Sequence, residues 1–182
     1  MSSDWLGDGR ALAAAEKILD SAGLLFVEKG VGAVGMAEIA SAAGCSRATL
    51  YRYFENRRAL HVAFVHREAR KLGSLIAATV ASIADPRERL ETAVLSAVSA
   101  VRTTPTLAVW FQPGDASLAG ELANSSEVIN GLGAAFLGSG ADSAQAKWTV
   151  RVILSLLMVP GVDARDEQAL VRAFVAGVLI RT

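Results

Sequence analysis

Apolar residues recur at helical spacing along most of the chain. Ile18, Ala22, Leu25 and Phe26 fall at i, i+4, i+7 and i+8, one stripe of an amphipathic helix. That stripe predicts a first helix over 9–29, with Gly30 placed to end it. Ile39, Ala40 and Ala43 form the inner face of a short second helix, Met36–Ala43. Gly35 is a permitted N-cap for it, and Glu38 sits where a carboxylate favours the exposed first-turn amides. Gly44-Cys45 breaks the pattern, and Ser46 then reads as the N-cap of a third helix, Arg47–Phe54. Leu50 and Phe54, one turn apart, are its buried seam. After a turn at Glu55-Asn56, a fourth helix runs from Arg57 to about Ala84 and carries Leu60, Phe64 and Leu72. No flexible linker composition interrupts it.

The rest of the pattern predicts helices over 86–103, 105–111, 115–136, 142–159 and 166–180. Pro86 and Pro105 suit first-turn positions, while Pro113-Gly114, Gly138-Ser139-Gly140 and Pro160-Gly161 mark breaks. Runs with period-two alternation are absent, and 34 residues are alanine, the strongest helix former. The expected fold is all-α, about nine helices with a core of small side chains. A three-helix head over 1–55 should precede a larger helical body over 56–182.

Composition narrows the function. A chain of 182 residues that is 52% hydrophobic is not a disordered one. Its single cysteine excludes an internal disulfide framework and a cysteine-rich zinc module. The longest apolar run, Val150 to Val162, contains Arg151 and Pro160 and is too short for a bilayer. The first residues, Met-Ser-Ser-Asp-Trp, lack a basic segment leading into an apolar one, so a cytoplasmic protein without a membrane partner is expected. Eighteen basic and eighteen acidic residues balance overall, but not locally. Met36 to Lys71 holds seven Lys/Arg against three Glu, a net of +4, whereas 72–182 holds eight basic against ten acidic, a net of −2. A basic front half suits a polyanion partner.

Two short helices joined by a glycine turn, the second capped by serine, make a helix-turn-helix candidate. With Leu50 and Phe54 inward, about 100° per residue puts Ala48, Thr49, Arg52 and Tyr53 on the opposite side, flanked by Arg47 and Tyr51. Arginine pairs bidentately with guanine, and a small alanine permits close approach or contact with a thymine methyl. The hydroxyls of Thr49, Tyr51 and Tyr53 can reach phosphate oxygens, which fix register. Arg57, at the start of the fourth helix, is expected to hold a phosphate jointly with the helix amides.

The run from Ile18-Leu19 through Gly30, then Glu38-Ile39-Ala40 through Ala43-Gly44-Cys45-Ser46-Arg47-Ala48-Thr49-Leu50-Tyr51-Arg52-Tyr53-Phe54, with Arg57 and Leu60, resembles the TetR family of transcriptional regulators. The resemblance covers about 45 residues at the family spacing. It implies a DNA-binding head on a ligand-sensing, dimerising body, a homodimer on a palindromic operator, and repression relieved by a small molecule. It also implies that Arg47, Ala48, Thr49, Arg52 and Tyr53 face the groove, that Tyr51 touches phosphate or base, and that Ser46 belongs to the same contact surface. Arg57 stands where the family usually has a phosphate-binding lysine. Gly35 replaces a common threonine cap, so its phosphate contact would rest on the backbone amide; Cys45 replaces the usual valine and Ala48 a frequent glycine.

Other chemistry finds little support. His61 and His66 lie about 140° apart around one helix, too far to share a metal, and solvated or capping roles are expected for both. No triad, phosphate loop or carboxylate cluster marks an enzyme, and no cofactor is implied. Cys45 reads as a packing residue rather than a redox switch. In the rear half Leu107, Trp110, Phe111, Leu122, Phe136, Trp148 and Met158 supply the bulk, either as core or as the lining of a pocket for a mostly apolar effector. Gln112, Asn124, Ser126 and Asn130 are the polar groups placed to orient it. Trp148, Val152, Leu156 and Val159, then Leu170, Phe174, Gly177 and Val178, form two stripes expected to build a four-helix dimer contact. The competing reading is a helical small-molecule-binding protein with little or no DNA affinity.

Overall fold

The computed structural model describes residues 5–138 and 142–180, leaving Ser139 and Gly140 of the expected break outside. Among these residues the chain is helical throughout: α1 (Trp5–Lys29), α2 (Met36–Ala43), α3 (Arg47–Tyr53), α4 (Arg57–Val80), α5 (Pro86–Thr103), α6 (Pro105–Ala108), α7 (Ala116–Ser125), α8 (Glu127–Leu137), α9 (Ser143–Met158), α10 (Ala164–Val171) and α11 (Gly177–Leu179). A 3-10 turn, Val109–Phe111, follows α6, and a π segment, Arg172–Ala176, joins α10 to α11. No single described helix is long and apolar enough to cross a membrane.

Two compact units emerge, Met1–Val65 and His66–Thr182. The division falls inside α4 rather than at 55/56, because the first turns of α4 belong to the core of the front unit. Leu60, His61 and Phe64 are buried there with Ile18, Leu19, Ala22 and Phe26 of α1. Phe26 meets both Phe64 and His61 edge-on, each at 5.4 Å between ring centroids. His61 is therefore not solvated as its sequence context suggested; its ring fills aromatic space in the core.

The second unit is organised around α5. Leu90, Ala93, Val94, Ala97 and Val98 are buried with Ile76 and Val80 of α4, Phe136 and Leu137 of α8, Leu156 of α9 and Val171, Val175 and Ala176 beyond it. Alanine and glycine let these helices approach closely: a Cβ built on Gly133 would lie 2.7 Å from the Ala146 carbonyl oxygen and 3.1 Å from Val150 Cγ2, so α8 and α9 touch nearly backbone to backbone. Two buried carboxylates tie α10 and the π segment to α5. Glu91 accepts from Arg172 Nε (2.9 Å) and Gln168 Nε2 (2.8 Å), while Glu167 accepts from both terminal nitrogens of Arg102 and from the Gly161 amide. Arg102 Nη2 also donates to the Leu156 carbonyl at 2.7 Å, which closes the end of α9.

Three elements depart from the sequence pattern. The helix expected over 115–136 is interrupted at Ser126, which turns extended and caps α8 by accepting from the Ile129 amide at 3.1 Å. The fourth helix stops at Val80 rather than Ala84. The helix expected over 166–180 contains the π segment, a one-residue insertion into the helical ladder.

Gly133→Ala drives a methyl into a backbone carbonyl and should lower stability by about 1–3 kcal/mol. Gly131→Ala, where a Cβ meets nothing within 4 Å, should be neutral or slightly stabilising by helix propensity. Denaturant midpoints of the two variants check the contrast. The Arg102 guanidinium holds the Glu167 carboxyl below its ordinary range, against the opposing effect of burial. A carboxylate depressed in the folded state adds stability above its unfolded pKa and loses it as pH falls through the folded value. Denaturant midpoints followed downward through the carboxylate range should decline in the wild type, and Glu167→Gln should flatten that decline while lowering stability at neutral pH.

Candidate nucleic-acid interface

α3 has only seven residues, and three local features set it in place. Gly44 takes the left-handed conformation, φ 68° and ψ 35°, which a residue with a Cβ adopts only with strain. Its amide and that of Cys45 donate back to α2 carbonyls, closing the end of that helix and turning the chain. Ser46 Oγ then accepts from the Thr49 amide at 3.1 Å and pairs with Thr49 Oγ1 at 2.9 Å. Leu50 is fully buried and Phe54 nearly so.

With that seam inward, Arg47, Ala48, Tyr51 and Arg52 are exposed, and Thr49 and Tyr53 are half-buried. The Arg52 guanidinium carbon lies 5.4 Å from the centre of the Tyr53 ring, a cation–π approach that aligns the two side chains. The outer face of α3 is therefore cationic, hydroxyl-bearing and short-chained at Ala48. At the other end of the turn, Gly35 caps α2 through its backbone alone, and a Cβ there would meet nothing within 4 Å. Lys29, at the end of α1, pairs with Glu38 of α2.

Arg57 departs from its expected place. Its Nη2 donates to the Val31 carbonyl at 2.7 Å and to the Gly32 carbonyl at 2.6 Å, so the guanidinium is turned back onto the α1–α2 loop. Asn56 Oδ1 accepts from the Ala59 amide at 2.8 Å and caps α4. The Arg57 guanidinium is thus engaged with the head's own backbone.

Comparison with known proteins bears on this head. The sequence profile of bacterial regulatory proteins of the tetR family matches residues 18–64, which end to end contain α2, α3 and the buried seam. A helix-turn-helix-type transcriptional regulator from Mycobacterium tuberculosis is 46% identical over 183 residues, 97% of this chain and 91% of the relative. The chain belongs to the TetR family. Solved TetR-family folds extend the likeness to the body: the repressor AlkX from a Dietzia strain, implicated in biodegradation of n-alkanes, superposes with a TM-score of 0.64 at 22% identity, covering 91% of this chain and 94% of that one. RolR in complex with resorcinol gives 0.67 at 18% identity, covering 93% and 89%.

As a TetR-family transcriptional regulator, the protein departs from the family pattern at places the structure tolerates. The open space at Gly35 would admit the usual threonine, so nothing in the fold demands glycine there. Cys45 is a half-buried free thiol in the turn, and Ala48 is exposed, where a small residue leaves the helix surface low.

In the TetR-family body, the bulky residues separate into two groups. Trp110 and Leu122 are buried and Leu107 and Phe111 half-buried on α6, the 3-10 turn and α7, and the 3-10 turn packs against α7. Phe136 lies apart from these, in the α5-centred core. Met158 does not line an interior: it is 41% exposed at the end of α9, where a Cβ on Gly120 would lie 3.3 Å from its Cε. Asn130 is half-buried on α8, Gln112 is exposed, and the Asn124 side chain lies outside the described residues. A polar pair that sequence spacing missed joins α4 to α8: His66 Nε2 lies 2.8 Å from Ser126 Oγ, and burial, then Arg70, pushes the His66 pKa down. No group of three or more potential metal ligands occurs among the described residues.

Of the expected dimer stripe, Trp148, Val159, Leu170, Phe174, Gly177 and Val178 are exposed, with Phe174 at 65%, and Val152 is half-buried. Leu156 is a correction. It is buried within its own subunit's core, since about seven residues bring it back under Thr149 on the inner face rather than under Trp148.

Proposed function

We propose that this TetR-family regulator is a cytoplasmic homodimeric repressor that grips a palindromic operator through α3 and lets go when a small, mostly apolar molecule binds the body. The observation that carries the reading is the setting of α3: Leu50 buried, and Arg47, Ala48, Tyr51 and Arg52 presented outward in a net-basic segment. Arg52 and Arg47 read base edges, Ala48 allows close approach, Thr49, Tyr51, Tyr53 and Ser46 meet the backbone, and the Gly35 amide adds a phosphate contact. In a symmetric dimer two such helices enter successive major grooves, roughly 34–36 Å apart for half-sites one turn apart.

The apolar residues left uncovered on α9, α10 and the final turns support dimerisation, because a face with Trp148, Val159, Leu170, Phe174 and Val178 in water is costly. Gly177 admits a neighbouring helix closely. On this reading the effector enters the region of Leu107, Trp110, Phe111 and Leu122, and Asn130 and the His66–Ser126 pair are the candidate polar groups to orient it. RolR, which holds resorcinol, has the same fold, and that supports a small aromatic or aliphatic effector. α4 belongs to both units, so a ligand that shifts it in the body acts on the head. The ligand must bind the DNA-free state more tightly, and the coupling is reciprocal.

A salt-titrated gel shift with DNA from upstream of the protein's own coding region tests the reading. Arg52→Ala should lose about 1–3 kcal/mol of discrimination between operator and random duplex. Equal losses on both would remove its base-reading role, and no binding to either would favour a helical ligand-binding protein without DNA affinity. Sedimentation on the order of micromolar concentration should give a dimer, and Phe174→Glu, a charge placed in the contact, should give a monomer with unchanged helix content.

A further inference from the structure

The loop between α1 and α2 is fixed from inside by Val31 and Val34, both fully buried. Within the loop, the Ala33 amide reaches the Gly30 carbonyl only at 3.4 Å. The Val31 and Gly32 carbonyls instead share one nitrogen of Arg57, at 2.7 and 2.6 Å. α2 begins four residues beyond Gly32, after a glycine cap, Gly35, that offers no side-chain hydrogen bond. The start of α2 therefore depends on where the loop backbone is held. The Arg57 Nε is buried and makes no hydrogen bond, while the Nη2 contact with Gly32 lies at the surface. The α4 amide next in line for an anion, that of Ala59, already serves Asn56.

We propose that Arg57 is a positioning residue for DNA reading, and not a phosphate ligand: it locks the start of α4 to the α1–α2 loop and so sets where α2, and α3 packed on it, present themselves. The proposal rests on the DNA-binding reading above and replaces the role that its sequence position suggested. A guanidinium suits the task because its rigid plane aims both N–H bonds of Nη2 at the two carbonyls, whereas an ammonium offers a point charge on a flexible stem. α2 packs on α1 and on α3, so a slack loop displaces the helix that α3 leans upon. Movement of α4 is passed to the loop through the same two hydrogen bonds.

The test uses full-length wild type, Arg57→Ala and Arg57→Lys, the last as the variant that keeps the charge and the fold. Amide hydrogen exchange is measured on the free protein, and binding to a labelled mixed-sequence duplex is measured from about 50 to about 200 mM salt. Arg57→Ala should speed exchange at Ala33, Glu38 and Ile39 by roughly tenfold or more, the worth of a hydrogen bond to a charged group. Its affinity should fall while the slope of log K against log salt stays that of wild type. Arg57→Lys should show intermediate protection at the same slope. A slope shallower by about one in Arg57→Ala, the loss of one phosphate contact, overturns the proposal, as does unchanged exchange in the loop. If wild type itself binds no duplex, the DNA-binding reading fails, and the exchange data still decide whether Arg57 holds the loop.

Discussion

The burial of Leu50 is the constraint on which the rest of the head depends. A helix of seven residues has too few internal hydrogen bonds to persist alone, so its existence and its rotation come from what it buries. Burying one leucine contributes about 2–3 kcal/mol, and the Ser46 cap about 1 more. Both act on the same two turns. Because successive residues are separated by about 100°, fixing Leu50 inward leaves no choice for Ala48, Tyr51 and Arg52. The chemistry of the outer face is a by-product of the inner one. The left-handed Gly44 then sets the direction in which that face is presented, since it decides how the chain leaves α2.

The body follows a different logic. Its helices approach through alanine and glycine, and the Gly133–Ala146 contact leaves α8 and α9 little room to slide past each other. The buried carboxylates Glu91 and Glu167 each meet an arginine and at least one further donor, so their desolvation is offset by hydrogen bonds from separate elements. Polar pairs here serve to fix which helix lies against which, a task that small apolar side chains do poorly because they fit many neighbours equally well.

Much of this was legible from spacing. The α1 stripe, the short α2, the glycine turn, the serine cap and the Leu50–Phe54 seam all follow from local pattern, because each is a short-range relation along the chain. What spacing hid depends on a second segment. Leu156 and Trp148 belong to one apolar stripe, yet only the neighbour on each side decides that one is core and the other uncovered. Arg57 carries its charge at the start of a helix, and nothing local reveals that carbonyls more than twenty residues earlier lie within its reach. His61 reads as polar until Phe26 is placed against it. Ser126 reads along the chain as a polar group facing an effector, and its role as the cap of α8 emerges only in the fold.

The π segment between α10 and α11 carries one more consequence. An extra residue in a helical ladder offsets everything after it by about 100°. Arg172 opens that segment and is held to Glu91, so the phase change is pinned at a known point. The C-terminal turns are thereby set in azimuth independently of α10, and loss of one residue from 172–176 would rotate Val178 relative to Leu170 by about 100°. Because Val175 and Ala176 sit both in that segment and in the α5-centred core, such a deletion would also have to be matched by a change in what covers α5.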